Sequence, residues 1–171
     1  YEVAEPALAE ADALIITAGS SVSERDITVD VIERLGEPGV LVHGVSVKPG
    51  KPSILALCDG KPVFGLPGNP VSALNTIRLF VKPALWRLQG AAVPHVGYVK
   101  ARLAGPIPGA GPREFFAPVR LEERGDGLWA EPVFGESNLI FTLVRGDGVV
   151  HVPIGVKALE EGIEVDVELL D

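Results

Sequence analysis

Gly65-Leu66-Pro67-Gly68-Asn69-Pro70-Val71-Ser72-Ala73-Leu74-Asn75-Thr76-Ile77-Arg78-Leu79-Phe80 is the stretch that decides the fold. Pro67 to Pro70 is a tight-loop signal, because two prolines and a glycine sit within four residues. Asn69 suits an N-cap, and Pro70 suits the first helical position, where its missing N–H costs nothing. Leu74, Ile77, Val81 and Leu85 then recur at helical spacing. A strand ending at Leu66 therefore enters a stiff loop that launches a helix, disturbed near Pro83 and finished by Gly90. Free backbone N–H groups at such a helix start suit an anion.

Upstream, Tyr1 to Ala11 reads as the end of a helix with Val3, Ala7, Leu8 and Ala11 on one face. The apolar run Ala13-Leu14-Ile15-Ile16 reads as a strand buried on both faces. It opens into the small, hydroxyl-rich loop Thr17–Asp26, followed by a helix with Ile27, Val31, Ile32 and Leu35 inward and Gly36 as its stop. Glu37-Pro38-Gly39 reads as a turn, Val40 to Val47 as a strand, and Lys48-Pro49-Gly50-Lys51-Pro52 as a second rigid loop. Ser53–Leu57 and Lys61–Leu66 form a hairpin around Asp59-Gly60. Three polar loops thus follow three strands, and in open α/β sheets ligands bind beyond the carboxyl ends of the strands.

From Gly97 onward the pattern becomes short strands and turns: Tyr98–Leu103, Glu114–Leu121, Leu128–Val133, Val149–Val152 and Val165–Leu170, with turn signals at Gly125–Gly127 and Gly146–Gly148. That spacing suggests a small barrel or sandwich. Ser137 with Leu139, Ile140, Leu143 and Val144 reads either as a short capped helix or as a strand, with the helix preferred. The expected domains are residues 1–92 and 93–171.

Composition narrows the function. The 171 residues carry a formal charge of −8, which argues against nucleic-acid or anionic-membrane partners. Residues 1–92 hold eight basic and ten acidic side chains, residues 93–171 seven and thirteen, so an anionic ligand meets less repulsion in the first part. Cys58 is alone, which excludes a disulfide framework or cysteine metal cluster. No secretory signal or apolar run of spanning length is evident, and a soluble cytoplasmic protein is expected.

Each candidate has a plain alternative. Gly19-Ser20-Ser21-Val22-Ser23 offers hydroxyls and backbone N–H groups to a phosphate, or forms a simple β–α turn. Asp26 holds Mg²⁺ or moves a proton, or merely caps a helix. Lys48 and Lys51, flanking Pro49-Gly50, clamp an anion as point charges or are solvated surface lysines. His43, His95 and His151 show no spacing that suggests a metal site.

Taken together, Thr17-Ala18-Gly19-Ser20-Ser21-Val22-Ser23-x-x-Asp26, Lys48-Pro49-Gly50-Lys51-Pro52 and Gly65-Leu66-Pro67-Gly68-Asn69-Pro70-Val71-Ser72 resemble the molybdopterin-binding domain of the MoeA/gephyrin E-domain family. Gly111-Pro112-Arg113-Glu114-Phe115 and Gly135-Glu136-Ser137 resemble, more weakly, that family's C-terminal β-rich domain. The resemblance implies an α/β fold: a partial MogA-like three-layer α/β/α domain followed by a small β-rich, barrel-like domain. It implies molybdopterin molybdotransferase activity, in which molybdenum from molybdate is inserted into adenylylated molybdopterin and AMP is released with Mg²⁺ assisting. Asp26 then matches the required aspartate and tentative Mg²⁺ ligand. Gly19, Ser20, Ser21, Ser23, Lys48, Gly50, Lys51, Pro67, Gly68, Asn69, Pro70 and Ser72 line the pterin-phosphate site. A homodimer and contact with the molybdopterin adenylyltransferase are implied as well.

Ser23 stands where the family often has glycine, and Gly19-Ser20 where it often has a glycine pair. By the same resemblance the chain is a C-terminal piece that starts partway into the α/β domain. It is expected to leave one sheet edge open, to bind weakly and not to turn over alone. A binding module without chemistry and a dimerising scaffold are the rival readings. The β-rich half, with no cluster of His, Cys or paired carboxylates, is expected to carry no catalytic group.

Overall fold

The computed structural model describes residues 1–17, 27–133 and 146–170, which group into two units: 1–45 with 50–93, and 46–49 with 94–171.

The first unit is built on a four-stranded sheet of order β1-β5-β4-β2, with β1 Leu14–Thr17, β2 Pro38–His43, β4 Ile54–Cys58 and β5 Lys61–Leu66. β1 runs parallel to β5, while β4 is antiparallel to both β5 and β2. Hence β1, β2 and β5 point the same way. Their register draws one line across the sheet, Ile16–Gly65–Ile54–His43. Thr17, His43 and Leu66, the last residues of β1, β2 and β5, all lie at that end.

Helices α1 Ala4–Glu10 and α2 Ile27–Leu35 pack on one face, where Leu8 and Ile32 meet Ile54, Ala56, Cys58 and Val63. The other face carries α3 Pro70–Thr76, a π-helical turn Ile77–Val81, and α4 Lys82–Leu88, packed against Phe64 and Leu66. The strands lie between these helix layers, which makes the unit three-layered. Each fully buried aliphatic side chain contributes roughly 1.5–3 kcal/mol here. The Lys61 ammonium donates to the Leu8 and Ala9 carbonyls at 2.7 and 3.1 Å, satisfying acceptors that the last turn of α1 leaves open.

Several readings of this half need correction. β1 is not buried on both faces: it pairs only with β5 among the described residues, and Ile15 is 41% exposed. Val3 is also exposed, so Leu8 alone carries the buried face of α1. Pro38 and Gly39 belong to β2 rather than to a turn. An edge strand tolerates proline at its first position, since the N–H it lacks is not needed there. Val40 to Val47 is not one strand: the Gly44 and Val45 amides turn back to the Ser53 and Lys51 carbonyls at 2.9 Å each. Val47–Lys48 then forms β3, which pairs with the second unit.

The helix after Pro70 keeps Val71, Ser72, Asn75 and Thr76 inward, while Leu74 and Leu85 are exposed. The π turn shifts the inward face to Val81. It directly precedes Pro83, whose ring and missing N–H would break an ordinary α-helical turn at that point. At the far end the Gly90 and Ala91 amides bond back to the Arg87 and Trp86 carbonyls at 3.0 Å each, closing the helix. The β4–β5 hairpin turns on Asp59 (φ 49°) and Gly60 (φ 83°), where a glycine removes the steric cost of the second left-handed position.

The second unit is a closed barrel. β6 Tyr98–Leu103, β8 Glu114–Arg124, β9 Gly127–Pro132, β10 Gly148–Val152 and β12 Glu164–Leu169 run β10-β12-β6-β9-β8, and β10 pairs with β8 to close the ring. β3 extends β8 at its start, while β7 Ile107–Pro108 and β11 Ala158–Leu159 form a separate small ladder. Alternate inward residues fill the barrel: Ala101, Leu103, Ala117, Val119, Ala130, Val150, Val152 and Val167, with Ile107. Gly125–Gly127 is the β8–β9 turn. Gly146–Gly148 does different work: the Asp147 amide bonds the Val119 carbonyl, the Asp147 carboxylate accepts from the Leu121 amide, and its carbonyl accepts from Leu170. β3, β7 and β11 escape the sequence pattern because two residues carry no period. The segment around Ser137 lies outside the described residues.

Candidate functional site

The loop-bearing end of the α/β sheet gathers buried polar side chains. Thr28 at the start of α2, Ser53 before β4, and Ser72, Asn75 and Thr76 on α3 are all buried. Thr17 at the end of β1 pairs with Leu66 at the end of β5, so the two strands end side by side. Gly65 permits this crowding: a Cβ there would stand 2.9 Å from Ile54 Cβ and 3.2 Å from Thr28 Cγ2. Only glycine lets α2 and β4 approach β5 so closely.

Of the residues marked in the sequence, Pro67 and Ser72 are buried, Gly68 is exposed, and Asn69 and Pro70 are half-buried. Asn69 adopts the extended N-cap backbone with Pro70 following, yet its side chain makes no capping hydrogen bond. Gly50 is buried and Lys51 exposed, in a turn whose Gly50 carbonyl accepts from the Ser53 amide at 3.2 Å and the Ser53 hydroxyl at 2.6 Å. Ser53 Oγ is in turn 2.7 Å from Thr76 Oγ1, which lies 2.9 Å from the Ser72 carbonyl. Both hydroxyls are fully buried. The Gly50–Pro52 turn and α3, which carries Pro70 and Ser72, are thereby tied together. One turn on, Arg78 Nη2 donates to Asn75 Oδ1 at 2.9 Å.

Lys48 belongs to the barrel unit. It sits in β3 opposite Phe115, with its ammonium 4.5 Å from the centroid of the Phe115 ring, a cation–π contact. Lys48 to Pro52 is therefore a strand end followed by a turn, not one continuous loop. Gly19, Ser20, Ser21, Ser23 and Asp26 lie outside the described residues, as does Gly135-Glu136-Ser137.

Sequence reading missed Ser53 and Thr76. Ser53 opens an apolar strand, and Thr76 looks like one more residue of an apolar helix. Their pairing spans 23 residues. The available signal was the polar stripe Ser72-Asn75-Thr76 on one helix face. His151 and Glu114 were likewise unpaired in the sequence reading. In the structure they are hydrogen-bonded to each other on the barrel, and the imidazole stacks on Phe116 with centroids 4.9 Å apart. The Cys58 thiol is buried, and burial, then the Asp59 and Glu33 carboxylates, push it up and away from reactive thiolate.

Among the described residues, no three His, Cys, Asp or Glu side chains lie close enough to hold a metal ion. No helix there is long and apolar enough to cross a membrane.

Comparison with known proteins gives two family matches in the expected order. The probable molybdopterin binding domain matches residues 2–87, and the MoeA C-terminal region (domain IV) matches residues 100–170. The chain belongs to the MoeA family. A Methanocaldococcus jannaschii protein named for molybdopterin biosynthesis is 37% identical over 96% of this MoeA chain and 38% of its own length. A molybdopterin molybdenumtransferase of Staphylococcus epidermidis is 29% identical over 99% of the chain and 41% of its own. A solved structure of a molybdopterin biosynthesis MoeA protein from Pyrococcus horikoshii superposes with a TM-score of 0.78 and 41% identity, over 96% of the chain and 39% of that protein. The MoeA chain thus spans about two-fifths of the length of the curated relatives it matches.

Proposed function

We propose that the chain supplies the pterin-binding part of a molybdopterin molybdotransferase, acting in molybdenum cofactor biosynthesis in the cytoplasm. The substrates are adenylylated molybdopterin and molybdate, and the products are molybdenum-loaded molybdopterin and AMP. The observation that carries this reading is that β1, β2 and β5 end together at one end of the sheet, where Thr28, Ser53, Ser72 and Thr76 bury hydroxyls. Family membership supports a pterin ligand for that end.

A multiply anionic pterin phosphate needs donors fixed before it arrives, because pre-placed groups spare the ordering cost of binding. The Pro67–Pro70 loop and the Gly50 turn provide stiff backbone. Lys51 is an exposed point charge on that turn, and Lys48 is a second cation for the same anion. The hydroxyls of Ser20, Ser21 and Ser23, the backbone amide of Gly19, and Pro67, Gly68, Asn69, Pro70 and Ser72 are assigned to the same phosphate by the family resemblance. Asp26, next to α2 in sequence, moves a proton or holds Mg²⁺. When bound, Mg²⁺ would screen the phosphate charge. Homodimerisation and hand-over from the molybdopterin adenylyltransferase belong to the same proposal.

The test is molybdate-dependent AMP release by the full-length protein and by Asp26→Asn, which keeps shape and most capping ability. Release by the parent and its loss in the variant, with folding and pterin binding intact, is the expected result. Equal release removes Asp26 from the chemistry. No pterin binding by the folded parent overturns the reading.

A further inference from the structure

The Ser53–Thr76 contact holds more bonds than protons. Two hydroxyl protons face three short distances: 2.6 Å to the Gly50 carbonyl, 2.7 Å between the hydroxyls, and 2.9 Å to the Ser72 carbonyl. The Ser72 carbonyl already accepts the Thr76 amide within the α-helical ladder. The bond between the hydroxyls can be made in two ways: Thr76 donates to Ser53 and Ser53 to the Gly50 carbonyl, or Ser53 donates to Thr76 and Thr76 to the Ser72 carbonyl. Packing alone does not require it, because valine would fill the Thr76 position with the same shape. What the hydroxyls add is direction: they join the Gly50-Lys51 turn to the helix that follows the Pro67–Pro70 loop. The turn's other bonds, Val45 amide to Lys51 carbonyl and Gly44 amide to Ser53 carbonyl, come from its own strand connection.

We propose that Thr76, acting through Ser53, is a positioning residue that sets the Gly50-Lys51 turn at its working distance from the Pro67–Pro70 loop, so that Lys51 meets the phosphate of the pterin substrate. This rests on the pterin reading above. Neither side chain touches substrate.

The experiment measures molybdopterin affinity of the full-length protein and of Thr76→Val, Thr76→Ser, Ser53→Ala and Lys51→Gln, singly and as the Thr76→Val/Lys51→Gln pair. Ser53→Ala keeps the Ser53 amide bond to Gly50 and leaves the Thr76 hydroxyl free to donate to the Ser72 carbonyl, so it tests the link without emptying the turn. Thr76→Val and Ser53→Ala should each weaken binding about fivefold, the worth of one hydrogen bond. Thr76→Ser should restore it. Lys51→Gln should weaken the parent but add little in the Thr76→Val background, because a displaced turn no longer aims the ammonium. Binding by Thr76→Val equal to the parent, or losses that simply multiply in the pair, overturns the proposal alone. A folded parent with no molybdopterin affinity overturns the pterin reading and this proposal with it.

Discussion

The two units fill their interiors differently. Among the described residues, the buried polar side chains, Thr28, Ser53, Ser72, Asn75 and Thr76, all belong to the α/β unit. The barrel's buried cluster, from Ala101 to Val167, is wholly apolar. An apolar barrel with no open edge needs nothing but packing to be stable. Buried polar side chains must each find a partner or cost about 1–3 kcal/mol, so a fold that keeps five of them in the α/β unit is specifying geometry there. The contrast is between an interior that fixes polar geometry and one that is filled by apolar packing.

The sharpest way to break the contrast is to damage the barrel alone. Leu103 is fully buried in the barrel core, and Leu103→Ala should cost about 2–5 kcal/mol in urea unfolding. Molybdopterin affinity of the remaining folded protein should be unchanged. A matching loss of affinity would mean that the barrel interior shapes the site.

Gly65→Ala asks the converse. Its new methyl would crowd Ile54 and Thr28, so about 1–3 kcal/mol of stability should be lost. Here affinity should fall too, because the strain sits at the ends of β5 and α2. A purely structural loss would separate packing at this end from recognition.

The smallest expected effect is on the barrel surface. Lys100 Nζ is 2.8 Å from Glu164 Oε1, fully in solvent. The hydrogen bond from Lys100, then its charge, holds the Glu164 carboxyl below its ordinary value. The bond and charge of Glu164 hold Lys100 above its own. A depressed carboxyl stabilises above its ordinary value and loses that contribution as pH falls through the depressed one. A raised lysine stabilises below its ordinary value and loses it as pH rises through the raised one. Urea midpoints of the parent and Glu164→Gln should thus differ slightly near neutral pH and converge as pH falls through the depressed Glu164 value. No difference at any pH would leave the pair without measurable weight, and pterin affinity should not respond.

Much of this division is legible in the sequence, for reasons that vary by element. Tyr98–Leu103 matches β6 because alternation over six residues is a strong signal. The Asp59-Gly60 hairpin follows from turn chemistry. Pro67–Pro70 and Pro83 mark the helix limits, but the π turn does not announce itself. β1 misleads because an apolar run reads alike at a sheet centre and at an edge. Lys48 misleads because Val47–Lys48 joins a strand beginning 66 residues later, at Glu114. The Ser53–Thr76 link is illegible for a similar reason: it needs the antiparallel β4–β5 register and the α3 position together. The loop residues from Gly19 to Asp26 remain a reading of sequence and family.

The central claim is that the ligand engages the polar end of the α/β sheet and leaves the barrel core untouched. Amide hydrogen exchange of the full-length protein, with and without molybdopterin, tests it directly. The account predicts slowed exchange in peptides covering residues 50–53 and 67–76. Peptides covering Tyr98–Leu103, Gly127–Pro132 and Glu164–Leu169 should be unchanged. Protection confined to those barrel strands, or unaltered exchange at 50–53 and 67–76 under saturating ligand, would contradict it.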